Sequence, residues 1–324
     1  MKILSLLTFI LIAGFAASEY NLTIIHISDF NSRWFEFNEN EERCSDGESK
    51  AERCFGGFPR LLSLVNDIRS KEKNVIVLSS GEFFWGEPYN VLRGWKVAND
   101  LVPKLKIDAM SLSNMDCGDG VIELSVFLHK MKFPALCANM EPHNKTYLHS
   151  RVNRSTVLDV NGEKIGIVGY LDTGTLQSRN VLKAKFHPAI PSIAEEVEHL
   201  EDLGVDKIIV LGHSSYSANL DIIKKVKGVD IAVGEDVDLV LKASDDNHSK
   251  KNIHYNNPKD DESSNLDLTS KLAIYTIVHP GTYVGVIRVT FDDKGRIIRS
   301  GGESIFLDSS IPQGNLEFLF FGTK

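Results

Sequence analysis

Short apolar runs rich in β-branched residues alternate along most of the chain with stretches whose apolar residues recur at helical spacing. The runs predict β-strands and the periodic stretches predict amphipathic helices. Their alternation predicts an α/β fold with a mostly parallel sheet. The predicted strands are 22–28, 75–79, 109–112, 135–138, 165–170, 208–211 and 231–233. The predicted helices are 59–70, 98–105, 122–130, 192–203 and 219–226.

The pattern changes between residues 242 and 270, where polar and charged residues replace the apolar runs. We interpret this stretch as an exposed insertion or loop. After it, apolar runs at 273–278, 283–291 and 297–306 predict antiparallel strands, with turn residues at 292–295.

The N-terminus has the pattern of a signal peptide. A lysine at position 2 precedes an apolar run that ends in small residues near Ser18, and such a run is too short to span a bilayer. We therefore expect cleavage after residues 1–18 and a secreted protein. The apolar patch 318–321 is too short for a lipid-anchor signal, so no membrane anchor is expected. Residues 19–312 are predicted to form one domain and 313–324 a short tail.

Composition narrows the choice of partners. The formal net charge is -8, which argues against nucleic acid or an anionic membrane as the main partner. Four N-glycosylation sequons fit a secreted protein; they begin at Asn21, Asn144, Asn153 and Asn247.

The four cysteines permit three pairings. Cys44 with Cys54 would close a short polar loop and is the first choice, which leaves Cys117 with Cys137. The alternative for the second pair is two buried free thiols. No spacing between the cysteines suggests a thiolate metal site.

Polar residues follow the apolar runs at the points where the predicted strands end. In α/β sheets ligands collect at the carboxyl ends of strands, so these residues are the candidates for chemistry. They are Asp29 and Asn31, then Gly81 and Glu82, then 113–119, then 212–214, and finally 234–238.

This order resembles the five metal-binding motifs of the 5'-nucleotidase/apyrase family of calcineurin-like phosphoesterases, which read D-x-H, G-D, G-N-H-E-F-D, G-H-S and G-G-H-S. Further stretches are similar to the family over residues 22–312, namely 54–61, 132–139, 166–170, 207–214 and 307–312. The resemblance implies a layered metallophosphoesterase sandwich, with helices flanking mixed β-sheets. It also implies two metal ions that grip a phosphate while an uncoordinated histidine stabilises the transition state.

Several positions depart from these motifs. Asn31 and Asp236 stand where the family has metal-binding histidines, and Glu82 stands at the bridging aspartate. Met115 occupies the position of the catalytic histidine, and Gly118 that of the aspartate that orients it. A thioether cannot donate a hydrogen bond to a developing oxyanion, and loss of one such group lowers the rate by about a hundredfold or more. We therefore expect no catalytic residue at these positions and impaired turnover.

The remaining polar residues could still hold a metal ion. The candidates are Asp29, Glu82, Asn114, His213 and Asp236, with Asp238 nearby. Clustered carboxylates need a cation, so one magnesium, calcium or manganese ion is one interpretation, with zinc less favoured. The other is a hydrated cleft with a basic neighbour and no cofactor. His213 could instead bond to backbone, Met115 could serve packing, and His26 is expected to be a satisfied residue inside the first strand.

The resemblance also suggests functions. Family members continue into a C-terminal domain that binds the nucleoside, and this sequence stops at Lys324, so specific nucleotide recognition is expected to be absent. Soluble relatives occur in the saliva of blood-feeding arthropods, which suggests a secreted pseudoenzyme that binds a host protein or a small ligand and opposes haemostasis. Nucleotide is a weaker candidate ligand. The alternatives are a residual metal-dependent phosphoesterase acting on ATP, ADP or AMP, and a divergent product with no selected chemistry.

Overall fold

The computed structural model describes residues 19–83, 90–116, 121–142, 147–172, 184–235, 272–276 and 281–314. Its strands in chain order are β1 (Tyr20–Ile27), β2 (Val75–Ser79), β3 (Ala109–Ser111), β4 (Ala135–Leu136), β5 (Met140–Pro142), β6 (Val152–Asn153), β7 (Ser155–Val160), β8 (Glu163–Leu171), β9 (Ala184–Phe186), β10 (Ile208–His213), β11 (Ile231–Glu235), β12 (Leu272–Thr276), β13 (Tyr283–Phe291) and β14 (Ile297–Phe306). Its helices are α1 (Asp46–Lys50), α2 (Phe58–Lys71), α3 (Asn90–Leu101), α4 (Val121–Lys130), α5 (Ala189–Asp202) and α6 (Tyr216–Lys225), with short 3₁₀ helices at Val102–Leu105 and Tyr147–Ser150.

Two mixed sheets form the centre of the molecule. The larger has the order β14-β13-β1-β2-β3-β4-β6, and the smaller has the order β12-β11-β10-β8-β7. Strands β1, β2, β3, β4 and β6 run parallel, as do β8, β10, β11 and β12, while β7, β13 and β14 pair antiparallel with their neighbours. The short strands β5 and β9 form a separate antiparallel pair.

The buried apolar residues form three clusters, one between the two sheets and one on the outer face of each sheet. One cluster fills the space between the two sheets, with Ile24 and Ile76 of the larger sheet against Ile167 and Ile209 of the smaller. The outer face of the larger sheet packs against α2, α3 and α4, and the outer face of the smaller sheet packs against α5 and α6. The predicted layered α/β sandwich is therefore confirmed.

Helix α2 shows how the sequence specifies one of these layers. It begins after Gly57, whose φ of 87° is left-handed, and it carries a proline in its first turn, where a missing N–H group costs nothing. Its apolar side chains recur at helical spacing and are buried against the sheet, including Leu61, Val65 and Ile68.

Some sequence-based expectations were wrong in detail. β12 was expected to pair antiparallel, but it pairs parallel with β11 in the smaller sheet, and only β13 and β14 form the antiparallel hairpin. The hairpin of β7 and β8 was not predicted as a pair, although Asn161 and Gly162 at its tip both have positive φ. Helix α3 begins eight residues earlier than the predicted start at residue 98.

The predicted disulfide between Cys44 and Cys54 is present, with Cα atoms 6.2 Å apart. The second predicted pairing is not seen: Cys137 is a buried free thiol whose Sγ donates to Asn139 Oδ1 at 3.4 Å. Burial raises the pKa of this thiol to about 12, so it stays protonated. Its predicted partner Cys117 lies outside the described residues.

Two of the four sequons can be located. Asn21 lies in β1 and Asn153 in β6, and both side chains are exposed. The other two sequons, the predicted signal peptide 1–18 and the polar stretch 242–270 lie outside the described residues. Across the part of the chain that is described, no helix is both long enough and apolar enough to cross a membrane.

Candidate metal centre

The loop after β1 holds Asp29 in an unusual backbone conformation. Asp29, Asn31 and Ser32 have φ values of 45°, 47° and 56°, a left-handed region that residues other than glycine rarely adopt. The loop is tied to the one that follows β2, because the Asn31 N–H donates to Glu82 O at 2.8 Å and the Ser32 N–H to Phe83 O at 3.2 Å. Two neighbouring strand ends are therefore joined by backbone hydrogen bonds.

Glu82 is held by a buried carboxylate. Its N–H donates to both carboxylate oxygens of Asp116, at 3.1 and 3.0 Å, and its own φ is 63°. Asp116 also accepts from the Ser113 N–H at 3.1 Å, and Ser113 Oγ accepts from the Asp116 N–H at 2.9 Å. A Cβ atom at Gly81 would lie 2.2 Å from Asp116 Oδ2. Asp116 thus fastens the loops after β2 and β3 to each other.

Sequence reasoning assigned no role to Asp116. Its side chain is fully buried, and this desolvation raises the pKa of the carboxyl group, although the N–H donors of Glu82 and Ser113 act in the opposite direction. A carboxyl directly after a predicted strand was the available signal, but its role depends on contacts 34 residues away along the chain.

His213 ends β10 in front of a buried polar network. Tyr170 Oη donates to Asn219 Oδ1 at 3.0 Å and is hydrogen-bonded to Ser214 Oγ, and Asn219 Nδ2 donates to Ser214 Oγ at 2.9 Å. All three side chains of this network are at most 5% exposed. A Cβ atom at Gly212 would lie 2.1 Å from the Tyr170 ring. The network therefore fixes the backbone on both sides of His213.

Three predicted ligands come together where strand ends of the two sheets meet. One oxygen of Asp29, one oxygen of Glu82 and one ring nitrogen of His213 all lie within 4.8 Å of one another. His213 Nε2 lies 3.6 Å from Glu82 Oε2. Within the described residues this is the one group of three or more His, Cys, Asp or Glu side chains that meets such a spacing.

The imidazole of His213 is suited to metal binding. Burial lowers its pKa, although the carboxylates of Asp29, Asp116 and Asp172 act in the opposite direction. Since a lowered pKa favours the neutral ring near pH 7, a ring nitrogen lone pair is available to a cation.

The donor set fits one divalent cation. Metal–ligand distances of about 2.0–2.6 Å require the ligand atoms of one ion to lie within about 5 Å of one another, and this cluster meets that condition. The two carboxylates suit magnesium, manganese or calcium, whereas the imidazole is a ligand that zinc takes more readily than magnesium or calcium. The second ion that the family resemblance implies would lack the imidazole that Asn31 replaces.

The other predicted site residues have different outcomes. Asn114 and Met115 follow β3 at the same edge of the sheet, where Asn114 is partly buried and Met115 is 37% exposed. Gly118, Asp236 and Asp238 lie outside the described residues, the last two shortly after the end of β11. His26 lies inside β1 as expected, fully buried, with Nε2 2.7 Å from Ser80 Oγ.

Comparison with known proteins identifies the fold family. The profile of the calcineurin-like phosphoesterases matches residues 22–242, which is more than half of the chain. The chain belongs to the calcineurin-like phosphoesterase family. Its sandwich also matches the 5'-nucleotidase precursor of Thermus thermophilus, with a TM-score of 0.72 and 24% identity over 91% of this chain and 56% of that chain. YfkN of Bacillus subtilis, described as a calcineurin-like phosphoesterase, matches with a TM-score of 0.67 and 16% identity over 91% of this chain and 93% of that chain.

Curated relatives of this calcineurin-like phosphoesterase include several 5'-nucleotidases. The 5'-nucleotidase of Mus musculus is 34% identical over 311 residues, covering 92% of this chain and 51% of the relative. Protein 5NUC of Lutzomyia longipalpis is 28% identical over 319 residues, covering 94% of this chain and 54% of the relative. The snake venom 5'-nucleotidase of Naja atra is 29% identical over 307 residues, covering 91% and 55%. The chain spans about half the length of the curated relatives it matches.

Proposed function

We propose that this chain is a secreted 5'-nucleotidase-related protein that holds one divalent cation between Asp29, Glu82 and His213 and acts by binding a ligand, with little hydrolysis. The observation that carries this proposal is the composition of the site. Three ligand groups from the strand ends of both sheets lie within 4.8 Å of one another, while Asn31 and Met115 stand at two positions where active relatives are expected to have imidazoles.

The residues of the site define what it can do. A divalent cation bound there would neutralise the charge of a phosphate and orient it. Asp29 and Glu82 offer carboxylate oxygens, and the neutral imidazole of His213 offers a ring nitrogen. Met115 presents a thioether at the edge of the site, which cannot donate a proton or a strong hydrogen bond. The chain therefore offers ligand-binding groups without a general acid at that position.

A second candidate function is slow, metal-dependent phosphoester hydrolysis. The observation that favours it is the intact frame of the site, in which Asp116 and the backbone bonds between two loops hold Asp29 and Glu82 close to His213. A water polarised by a cation could attack a phosphoester without an added acid, at a lower rate. Extracellular ATP, ADP or AMP would be the substrates of this activity.

Secretion and an extracellular target are part of the proposal. They are supported by the disulfide between Cys44 and Cys54, by the exposed sequon residues Asn21 and Asn153, and by the signal-peptide pattern of residues 1–18. One group of relatives is named as snake venom 5'-nucleotidases. We propose a host protein or a small ligand as the target and an effect on haemostasis as the outcome, with residues 19–312 acting as one domain.

The test combines metal content with phosphate release. Glycosylated secreted protein would be supplied separately with magnesium, calcium, manganese and zinc, and each sample would be measured for bound metal and for hydrolysis of ATP, ADP and AMP. We expect about one bound cation per chain and hydrolysis close to the buffer rate. Glu82→Gln should remove cation binding, because an uncharged amide is a weak ligand for such ions.

A variant that restores the missing imidazoles tests whether their absence is what limits hydrolysis. The double variant Asn31→His and Met115→His should raise phosphate release by about a hundredfold or more if the rest of the site is sound. If the natural chain hydrolyses nucleotides as fast as the double variant, the binding proposal is wrong and the second candidate, phosphoester hydrolysis, is supported. Absence of bound cation under all four conditions would contradict the metal site.

A further inference from the structure

β14 is an edge strand of the seven-stranded sheet. β14 pairs with β13, and within the described ranges no other strand pairs with it. The pairing is regular from Tyr283↔Phe306 to Thr290↔Arg299, and the register shifts only at the beginning of β14. The backbone N–H and C=O groups on the outer side of such a strand can form a ladder with another strand.

β14 carries only part of the protection that sheet edges normally have: it has two charged side chains and a register shift at its beginning, but no proline. Such edges are commonly guarded by proline, by a bulge or by charged side chains that obstruct pairing. The sequence of β14 is IIRSGGESIF, which contains no proline and has Gly301-Gly302 at its centre. A Cβ atom at Gly301 would meet nothing within 4 Å, so the face of the sheet over the centre of this strand is uncovered.

The charges of β14 are arranged symmetrically about Gly301. Arg299 lies two residues before this glycine and Glu303 two residues after it, and both are exposed. In an antiparallel pair, residues at equal distances from a two-fold axis lie opposite each other. An axis through Gly301 therefore places Arg299 of each chain directly opposite Glu303 of the other, which is a favourable cross-strand pair.

Existing ion pairs hold both charges in position on the same face of the sheet. Arg299 pairs with Glu19, and Glu303 pairs with Arg288 at 2.9 Å, which in turn pairs with Glu72. A second copy across the axis would join these pairs into one row of alternating charge, because each Arg299 would gain a second carboxylate and each Glu303 a second guanidinium.

We propose that the β14 edge is a self-association surface. A second copy of this chain adds its own β14 in antiparallel orientation, with Gly301 of both copies on the two-fold axis and two Arg299–Glu303 pairs between the chains. The paired segment is short, residues 299–303, so the dimer is weak and forms at micromolar concentrations. This surface is separate from the metal centre, so the proposal does not depend on the function of that site.

Analytical ultracentrifugation of the secreted, glycosylated chain tests the proposal. We expect a monomer–dimer equilibrium that reaches mostly dimer at about 100 μM, as a Kd of about 1–10 μM requires. Arg299→Glu and Glu303→Arg should each weaken self-association by about tenfold or more, because each makes both cross-strand pairs repulsive. Lys225→Glu and Asp221→Arg, at an exposed pair on α6, are matched charge controls and should leave the equilibrium unchanged.

Mixing the two variants gives the most specific result. In a heterodimer of the Arg299→Glu chain with the Glu303→Arg chain, both cross-strand pairs are again of opposite charge, so an equimolar mixture should recover wild-type association. The variant Gly301→Glu should abolish the dimer, because it places two glutamates opposite each other at the axis, while within the monomer the new carboxylate lies opposite Arg288 and forms no like-charge pair there.

Three outcomes would overturn the proposal. One is a wild-type chain that remains monomeric at about 100 μM, and another is a dimer that the variants do not weaken. The third is a mixture that associates no better than its two components. If either charge variant fails to fold, the Gly301→Glu chain decides the question.

Discussion

The buried histidine in β1 makes the stability of this fold depend on pH. His26 is fully buried, and desolvation lowers its pKa from 6.5 to about 3. The folded chain therefore keeps His26 neutral between these two values, while the unfolded chain binds a proton there. Because the unfolded state binds more protons, the free energy of unfolding must fall as the pH falls below about 6.5.

The size of this effect follows from one proton. The loss is about 1.4 kcal/mol for each pH unit between the two pKa values, so at pH 5 it amounts to about 2 kcal/mol. This is a substantial fraction of the stability of an ordinary domain. Below about pH 3 the folded chain also binds the proton, and the loss reaches its limit.

Urea unfolding at several pH values between 5 and 7.5 would measure the effect. The variant His26→Gln removes the ring but keeps a polar group beside Ser80, which lies 2.7 Å from the ring nitrogen. The free energy of unfolding of wild type should fall more steeply with acid than that of the variant, by about 1.4 kcal/mol per pH unit. His199→Gln, at an exposed position of α5, is the matched control for loss of an imidazole. Equal slopes for wild type and His26→Gln would show that His26 takes up its proton in the folded chain, and the reasoning from burial would be refuted.

Three further predictions concern stability, and the first two concern the frame around the metal centre. Gly81→Ala should destabilise the fold by about 3 kcal/mol or more, measured by urea unfolding, because its Cβ would lie 2.2 Å from Asp116 Oδ2 and φ is 93°. Tyr170→Phe should cost about 1–3 kcal/mol, since buried Asn219 Oδ1 loses its donor and Ser214 Oγ loses a hydrogen-bond partner; a smaller change in chemical denaturation would contradict this. Replacing Cys44 and Cys54 by serine should cost about 2.5 kcal/mol from the entropy of the short loop they close, and an unchanged melting temperature would show that the loop stays ordered without the bond.

The apolar pattern predicted much of the fold, and its failures have a physical cause. β2, β13 and β14 begin and end where the sequence indicates, because β2 and β13 are largely apolar runs and β14 has a pair of apolar residues at each end. The direction of β12 was predicted wrongly, since an apolar run specifies burial but not the orientation of the strand beside it. The pairing of β12 with β11 depends on contacts about 40 residues apart along the chain.

The site could be predicted only in part. The rule that ligands collect at strand ends predicts that Asp29, Glu82 and His213 lie together, and the structure brings them within 4.8 Å. The roles of Asp116 and Tyr170 could not be predicted in the same way. Each acts through hydrogen bonds to residues more than 30 positions away, and neither residue type signals such a contact by itself.

The strained backbone at the site supports a binding role over an abandoned one. Asp29, Asn31, Ser32 and Glu82 all adopt left-handed φ values, and such conformations persist only where the surroundings enforce them, at about 1–3 kcal/mol each. Asparagine is among the residues that adopt left-handed φ values most easily. Asn31 therefore suits the conformation of this loop, although it provides no imidazole. Loss of that ligand therefore does not require loss of the loop. A site whose only remaining task was folding would gain stability by relaxing these residues or replacing them with glycine. Four of the nine residues other than glycine with positive φ in the described chain lie at or beside Asp29 and Glu82, and such clustering is typical of binding and active sites.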